Sequence, residues 1–589
     1  VTDGPASRRS LAALCTLALA IRLYALGRPS LWFDELLEVE RAAGPWRSLL
    51  VGRPIDHDPP LFALAMRGWI AVGRLIGWPW IGATVGAAPD PANAAVDVAA
   101  YPGWAEAWLR LPSVALGVAA VAWTAHWASR RFGRRVGLFA ALLLTMSPLA
   151  IYHSQEVNQY AAMITATPLL LLMHDRLSAG ARRRDWLAYG ALSAAAIATH
   201  YGLVFPLLAL GSHLAWRSWR DPTGRTDRGR VAAYAAAMAV VVAVLFTLGL
   251  GDRMAVSHVQ PRLWGTHLAK ELAYIGDVGW REIVVYFPFP FAGGPALVIA
   301  NALGVLALVG AVRLWRGGGG GRVLVGWFVA GTLAMTYATS VVGWYPLGYR
   351  YGLFNLVPYV ALVAAGLEGL GDGANRMRRG LGGPVRVALA GVTGAAFVFF
   401  WPHAPWTDVN PSINVPREDM RRVLRHVQEA WQPGDRLWIY DGAAPAVRFY
   451  WHGDRSGDVV LPGFALDRPA EMRRIRDTLA AEIARLGGAP GEPAGRAWLL
   501  LSHFDDGDNV ALYDILVDLH AAPADIVGLY IDMFWGAYTM RVDGAPNPAS
   551  PHTPPDAPDA TPTPTPRSPP TPDTAAPTPD RAAAPPMTR

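Results

Sequence analysis

Residues 30–40, SLWFDELLEVE, set four carboxylates, Asp34, Glu35, Glu38 and Glu40, directly after an apolar run. Asp34 and Glu35, side by side behind an aromatic anchor, suit a general base held at a membrane surface. The same spacing equally suits a solvated acidic face on an amphipathic helix whose Leu31, Trp32, Leu36 and Leu37 meet lipid. In IDHDPPLF (55–62), Asp56, His57 and Asp58 stand before a proline pair, and proline favours a helix's first turn, so these groups sit where a helix begins. The run could hold a divalent metal, although it lacks the i, i+4 spacing that puts two ligands on one helical face; no other cofactor is implied. SPLAIYHSQEVNQY (147–160) gathers His153, Gln155, Glu156, Asn158 and Tyr160 at a turn between apolar helices. A plain loop accounts for it, but such a polar string is costly at membrane depth unless it lines a cavity. His200 and Tyr201 form a further polar turn, THY. Arg350 stands among Tyr345, Tyr349 and Tyr351, either as a snorkelling arginine in an aromatic belt or as a guanidinium clamp for a phosphate.

The elements that must position these groups are membrane helices. The chain has 589 residues, of which 52% are hydrophobic and only 17% charged, and its mean hydropathy is +0.22. That composition belongs to a polytopic membrane protein. The net charge of +6 comes from short arginine clusters between apolar runs, a pattern of topology and not of a nucleic-acid footprint. The single cysteine, Cys15, allows neither an internal disulfide nor a thiolate metal cage. Spans are expected near 10–27, 109–128, 136–151, 158–174, 231–250, 294–313, 323–342, 351–369 and 387–403. The first lacks a small-residue cleavage pattern and reads as a retained span. Residues 186–216 are flanked on both sides by arginines, so two short helices turning near THYG are needed, which makes eleven spans. With Arg8 and Arg9 in the cytoplasm, every basic cluster falls on that side. The loops carrying Asp34, Glu156, His200 and Arg350 then share the opposite, extracytoplasmic face of the cell membrane.

After about residue 404 the composition changes. Over 405–545, helical periodicity (REDMRRVLRHVQEAW, AEMRRIRDTLAAEIARL) alternates with short apolar runs (DRLWIY, RAWLLLSH, IVGLYI), the pattern of an extracytoplasmic α/β domain. Residues 546–589, rich in Pro, Thr, Asp and Ala, have too few apolar residues for a core and read as a disordered tail.

Six features in order, namely the Asp-Glu pair of the long first loop, PPL, RLPSVALG, SP followed by Tyr and SQE, THY, and RY before a proline-containing helix, resemble the GT-C membrane glycosyltransferases of family 39. That family includes protein O-mannosyltransferases and aminoarabinose transferases, and the likeness covers about residues 10–400. The resemblance implies transfer of a sugar, with inversion, from a polyprenyl-phosphate donor to an envelope glycan, lipid or protein acceptor. It implies Asp34 as base, Glu35 as its support and Glu156 near the reacting groups. Arg350 would hold the lipid phosphate, and Tyr351, His57, Asp58, His153, Gln155, Tyr160, His200 and Tyr201 would line the substrate site. Asn158 and Gln159 stand where family members more often carry an arginine and a small or apolar residue before the tyrosine. Membrane lipids complete the expected partners, and nucleic acid is excluded. The alternative readings are a transporter or flippase, which calls for charges within spans, and a non-catalytic scaffold of the same fold.

Overall fold

The computed structural model describes residues 5–51, 58–77, 103–180, 182–220, 228–250, 295–341, 344–345, 350–399, 420–451, 458–461, 469–486, 495–503, 512, 514–516, 518–519, 524–529 and 537–543. His57, most of the 78–104 insertion and the 546–589 tail lie outside these residues.

The helices, in chain order, begin with α1 (Pro5–Leu23), α2 (Phe33–Ala43), α3 (Trp46–Val51), α4 (Pro60–Leu75) and α5 (Trp104–Phe132). Next come α6 (Arg134–Met146), α7 (Pro148–Ser154), α8 (Tyr160–Ser178), α9 (Arg183–Thr199), α10 (Val204–Arg220), α11 (Arg228–Leu245) and α12 (Pro295–Arg316). α13 (Ala330–Val341), α14 (Leu356–Met377) and α15 (Gly382–Phe399) follow. Among the described residues, Trp104–Phe132, Arg228–Leu248, Gly319–Ser340 and Leu353–Met377 are each long and apolar enough to cross a membrane. A fifth crossing exists if α6 and α7, which meet at 61°, are taken as one span.

That bend departs from the continuous span expected over 136–151. Pro148 has no N–H to extend α6, and the Ser147 hydroxyl accepts the Ala150 N–H at 3.3 Å, so a new helix starts there. The central helix is α14, whose apolar stretch is 89% buried inside the protein. It packs so closely on α12 that a Cβ on Gly310 would lie 1.9 Å from the Leu362 carbonyl oxygen, and one on Gly366 would lie 2.1 Å from that of Leu306. Small residues allow this backbone approach, the usual way apolar helices gain contact in lipid.

The C-terminal segment has α16 (Met420–Ala430), β1 (Arg436–Tyr440), α17 (Ala444–Tyr450), β2 (Val459–Leu461), α18 (Pro469–Leu486), β3 (Arg496–Ser502), β4 (Ala524–Leu529) and β5 (Ala537–Asp543). Its sheet runs β2-β1-β3-β5-β4, with β1 parallel to β2 and β3, and β5 antiparallel to β3 and β4. Leu437 pairs with Trp498 and Ile439 with Leu500. Alternation along the strands sends Leu437, Ile439, Trp498 and Leu500 into one core and Trp438, Tyr440, Leu499 and Leu501 into another.

The first of these cores also contains Leu31, Leu36 and Val39 of the α2 region, Phe62 and Met66 of α4, and Leu109 of α5. The first-loop helices are thus in contact with the sheet-bearing segment. This corrects the lipid-facing alternative for residues 30–40: Leu31, Trp32 and Leu36 are buried in protein.

Candidate active site

Helix α2 separates the two adjacent carboxylates. Glu35 lies in its first turn, where Oε2 accepts the Trp32 N–H at 3.3 Å. Arg110 of α5 donates Nε to Oε1 at 2.8 Å and Nη2 to Oε2 at 2.6 Å, and the Val157 N–H donates a fourth bond, to Oε1, at 2.8 Å. The remaining Arg110 donors reach the carbonyls of Leu26, Pro29 and Ser30. Both side chains are 0% exposed. Glu35 therefore ties α2, α5 and the 155–159 turn together, and it has no exposed surface from which to meet a substrate.

Asp34, one position earlier, points elsewhere. Its Oδ2 lies 3.1 Å from Arg350 Nη1, the side chains being 27% and 30% exposed respectively. Arg350 Nη2 donates to the Tyr351 hydroxyl at 3.0 Å, and its guanidinium carbon is 5.0 Å from the Tyr351 ring centroid. Tyr160, at the start of α8, is within electrostatic reach of Arg350, Tyr351, Asp34 and Asp58. Asp58 in turn accepts the Gln159 amide at 2.8 Å, while its carbonyl accepts buried Arg41 at 2.6 Å. Asp34, Asp58, Tyr160, Arg350 and Tyr351 thus converge from four distant parts of the chain.

The 152–160 stretch packs against this cluster through Gln159 and Tyr160. His153 Nδ1 and Glu156 Oε2 are 2.9 Å apart and both side chains are buried. The His153 ring is 4.8 Å from that of Tyr160, which is 5.7 Å from His200. The Gln155 amide donates to the carbonyls of Arg22 and Tyr24 at the end of α1, at 3.0 and 2.9 Å. Arg22, buried itself, donates to Ser154 Oγ and to the carbonyls of Thr145 and Leu144. Gln155 is thereby a tie between helices. His200 Nδ1 accepts the Gly202 N–H at 3.0 Å, so the ring proton sits on Nε2. Tyr201 opens the short 3₁₀ turn Tyr201–Leu203 and is half-buried against the helical core. A Cβ on Gly202 would be 2.1 Å from the Tyr345 hydroxyl, which donates to the Tyr351 carbonyl at 2.9 Å. The THY turn consequently fixes the backbone beside Arg350.

Apart from Glu40, the residues that make the following contacts were not singled out from sequence. Arg110 stood inside RLPSVALG, and a charge within an apolar span is a signal for a counter-charge. Glu40 pairs with Arg448 at 2.5 and 3.1 Å, and Glu106 with Arg421 at 2.7 Å. Tyr450 accepts the Leu31 N–H at 2.7 Å and donates to Glu106 at 3.2 Å. Burial, with Glu106 beside it, pushes the Tyr450 hydroxyl well above its ordinary range, so it remains a donor. Phe33 stacks on His503, their centroids 4.1 Å apart. These contacts hold the C-terminal segment against α2.

Among the described residues no three His, Cys, Asp or Glu side chains gather as a metal set. Asp58 is the described member of the Asp56, His57, Asp58 run, and its carboxylate is engaged by Gln159.

No curated protein sequence matches the chain. Among solved structures, ArnT from Cupriavidus metallidurans in the apo state is similar at 13% identity, covering 92% of this chain and 98% of that one, with a TM-score of 0.47. The apo oligosaccharyltransferase of Archaeoglobus fulgidus is similar at 12% identity, covering 87% of this chain and 71% of that one, with a TM-score of 0.45. The S. cerevisiae protein O-mannosyltransferase Pmt1-Pmt2 complex bound to the sugar donor is similar at 18% identity over 43% of this chain and 34% of that one, with a TM-score of 0.33. Residues 102–247, which carry Arg110, His153, Glu156, Tyr160 and His200, match the model of the dolichyl-phosphate-mannose-protein mannosyltransferase family, and this match bears out the family resemblance of the motifs.

Proposed function

We propose that the chain is an inverting glycosyltransferase that moves a sugar from a polyprenyl-phosphate donor to an acceptor at the extracytoplasmic face of the cell membrane. The observation that carries this reading is the part-exposed Asp34–Arg350 pair, formed by residues 316 positions apart. Inverting displacement at an anomeric carbon needs a carboxylate on the attacking side and a cation on the leaving side. Both are present here, and both reach solvent. The matched family's description, which names a dolichyl-phosphate-linked mannose and a protein acceptor, supports the donor class.

In this reading the donor phosphate takes over the Arg350 guanidinium, because a phosphate offers it a two-point, charge-assisted contact. Asp34 is released towards the acceptor. The acceptor oxygen attacks the anomeric carbon as its proton passes to Asp34; the bond from that carbon to the phosphate oxygen breaks, and the electron pair leaves on the lipid phosphate, held by Arg350 and Tyr351. No general acid is needed, since the leaving group is a stable anion. Glu35 acts by orienting α2 and not by contact. Tyr160, Asp58, His200 and Tyr201 line the sugar and phosphate side, with the His153–Glu156 pair and Gln155 holding the turn that carries Tyr160. Eleven spans with a cytoplasmic N-terminus put these groups on one face.

The test uses membranes from cells making the wild type or Asp34→Asn, supplied with a panel of radiolabelled polyprenyl-phosphate sugars and native envelope extract. The expected result is transfer by the wild type alone. Equal transfer by Asp34→Asn removes Asp34 as base, and a wild type inert with every donor removes the transferase reading.

A further inference from the structure

The C-terminal sheet has a topological switch point between β1 and β3. β1 lies between β2 and β3, so the chain leaves the carboxyl ends of β1 and β3 in opposite directions. The crevice outside such strand ends is where open α/β sheets bind ligands. Asp441 and Gly442 follow β1 there, and His503 follows the last residue of β3. The two loops are pressed together: a Cβ on Gly442 would lie 2.2 Å from the Ser502 carbonyl oxygen and 2.7 Å from that of His503.

His503 itself adopts φ +49°, one of two non-glycine residues at positive φ among the described residues. A side-chain-bearing residue is strained in that region, and such strain persists only where the surroundings impose it, often at functional sites. Here the strain turns the imidazole onto Phe33, with ring centroids 4.1 Å apart and planes 10° apart. Phe33 is the residue before Asp34. The C-terminal segment therefore brings a half-buried imidazole onto Phe33, the first residue of α2 and the chain neighbour of part-exposed Asp34.

We propose that His503 is an acceptor-positioning residue: the switch-point crevice forms the acceptor side of the transfer site, and the imidazole hydrogen-bonds the acceptor group whose hydroxyl Asp34 deprotonates. This rests on the glycosyltransferase reading above. It assigns donor and acceptor to different parts of the chain, the donor phosphate to Arg350 and the acceptor to the sheet edge.

The experiment uses the full chain in native membranes, with radiolabelled mannosyl polyprenyl phosphate and the other donors of the panel, titrated separately against donor and against envelope extract. His503→Gly is the informative variant, because glycine adopts positive φ without strain, a gain that offsets part of the lost stacking on Phe33. The amount of extract giving half-maximal transfer should rise about tenfold, as loss of one well-placed hydrogen bond predicts, while the half-saturating donor concentration stays unchanged. His503→Asn, which tolerates positive φ and keeps a donor and an acceptor, should recover part of the loss. A thermal midpoint close to the wild type and unchanged protection of the C-terminal segment from limited proteolysis are expected; loss of extract use together with loss of that protection makes His503 a docking contact on Phe33 and overturns the proposal. Unchanged extract dependence in His503→Gly also overturns the proposal. A wild type that transfers from no donor overturns the transferase reading and this role with it, a result distinct from a wild type that transfers and a variant that matches it.

Discussion

Asp34 and Glu35 differ by a single methylene and a single position, yet a helix turns about 100° between neighbours, and that rotation sends one carboxylate to Arg350 and the other to Arg110. The consequences of replacing them should differ as sharply. Glu35→Gln leaves Arg110 buried with an uncompensated charge, so it should destabilise the protein by roughly 3–5 kcal/mol, read as a lowered unfolding midpoint in detergent. Asp34→Asn breaks a part-exposed pair worth about 1 kcal/mol or less, so the fold should hold while transfer falls by roughly 10²–10⁴, the usual contribution of a general base. Arg350→Lys keeps the charge but loses the fork, and should raise the half-saturating donor concentration about tenfold with little change in maximal rate. The Asp-Glu pair and Arg350 were legible in the sequence because their residue types stand out between apolar runs. Which of the two carboxylates faces substrate was not, because that depends on the partner each finds 75 or 316 positions away.

At the scale of elements, hydropathy located the helices well, since an apolar run of span length leaves little choice of structure in lipid. It did not locate the break at Ser147–Pro148, which hydropathy averages over, although the Ser-Pro dipeptide is itself a start signal. The short strand β2 and the paired strand β5 also escaped, β2 because three residues carry no readable alternation and β5 because its run AYTMRVD mixes polar and apolar types. Two predictions belong here. Gly202 lets the THY turn lie against Tyr345; Gly202→Ala would drive a methyl into that hydroxyl and displace the backbone beside Arg350, so transfer should fall while the unfolding midpoint changes little. Asp441, at the switch point, has its carboxyl raised by burial, with Arg448 only partly offsetting this. A raised folded value means the native state holds the proton more tightly than the unfolded chain does. Ionised Asp441 therefore costs stability at neutral pH, and that cost disappears as pH falls below the unfolded value near 3.9. Asp441→Asn should then unfold at a higher temperature than the wild type at pH 7, the gap closing as the pH is lowered towards 4.

For the molecule as a whole, the decisive arrangement is a first-loop layer, α2 and α4 with the start of α5, that shares one core with α16, α17 and the sheet. Nothing in the sequence pointed to it, because periodicity reports which face of an element is apolar and not which distant element covers that face. Charged contacts spaced widely along the chain make the joint. Of these, Arg448–Glu40 has an arginine 44% exposed and should contribute little, whereas Arg421–Glu106 is 10% and 4% exposed and also receives the Tyr450 hydroxyl. Removing Arg421 alone leaves Glu106 buried with a single neutral donor, a loss of roughly 3 kcal/mol, or about a hundredfold in the docked population. Arg421→Met should therefore release the C-terminal segment to limited proteolysis between α15 and α16 and weaken acceptor use more than donor use. Pairing it with Glu106→Gln, which removes the stranded charge, should restore most of the protection, because the cost of the single change lies in the uncompensated carboxylate. If the double variant is as exposed as the single one, the joint depends on the guanidinium's contact with the Arg28 carbonyl at 2.6 Å and not on its charge partner. Arg448→Met serves as the comparison: its protection pattern should match the wild type, since water already solvates that arginine.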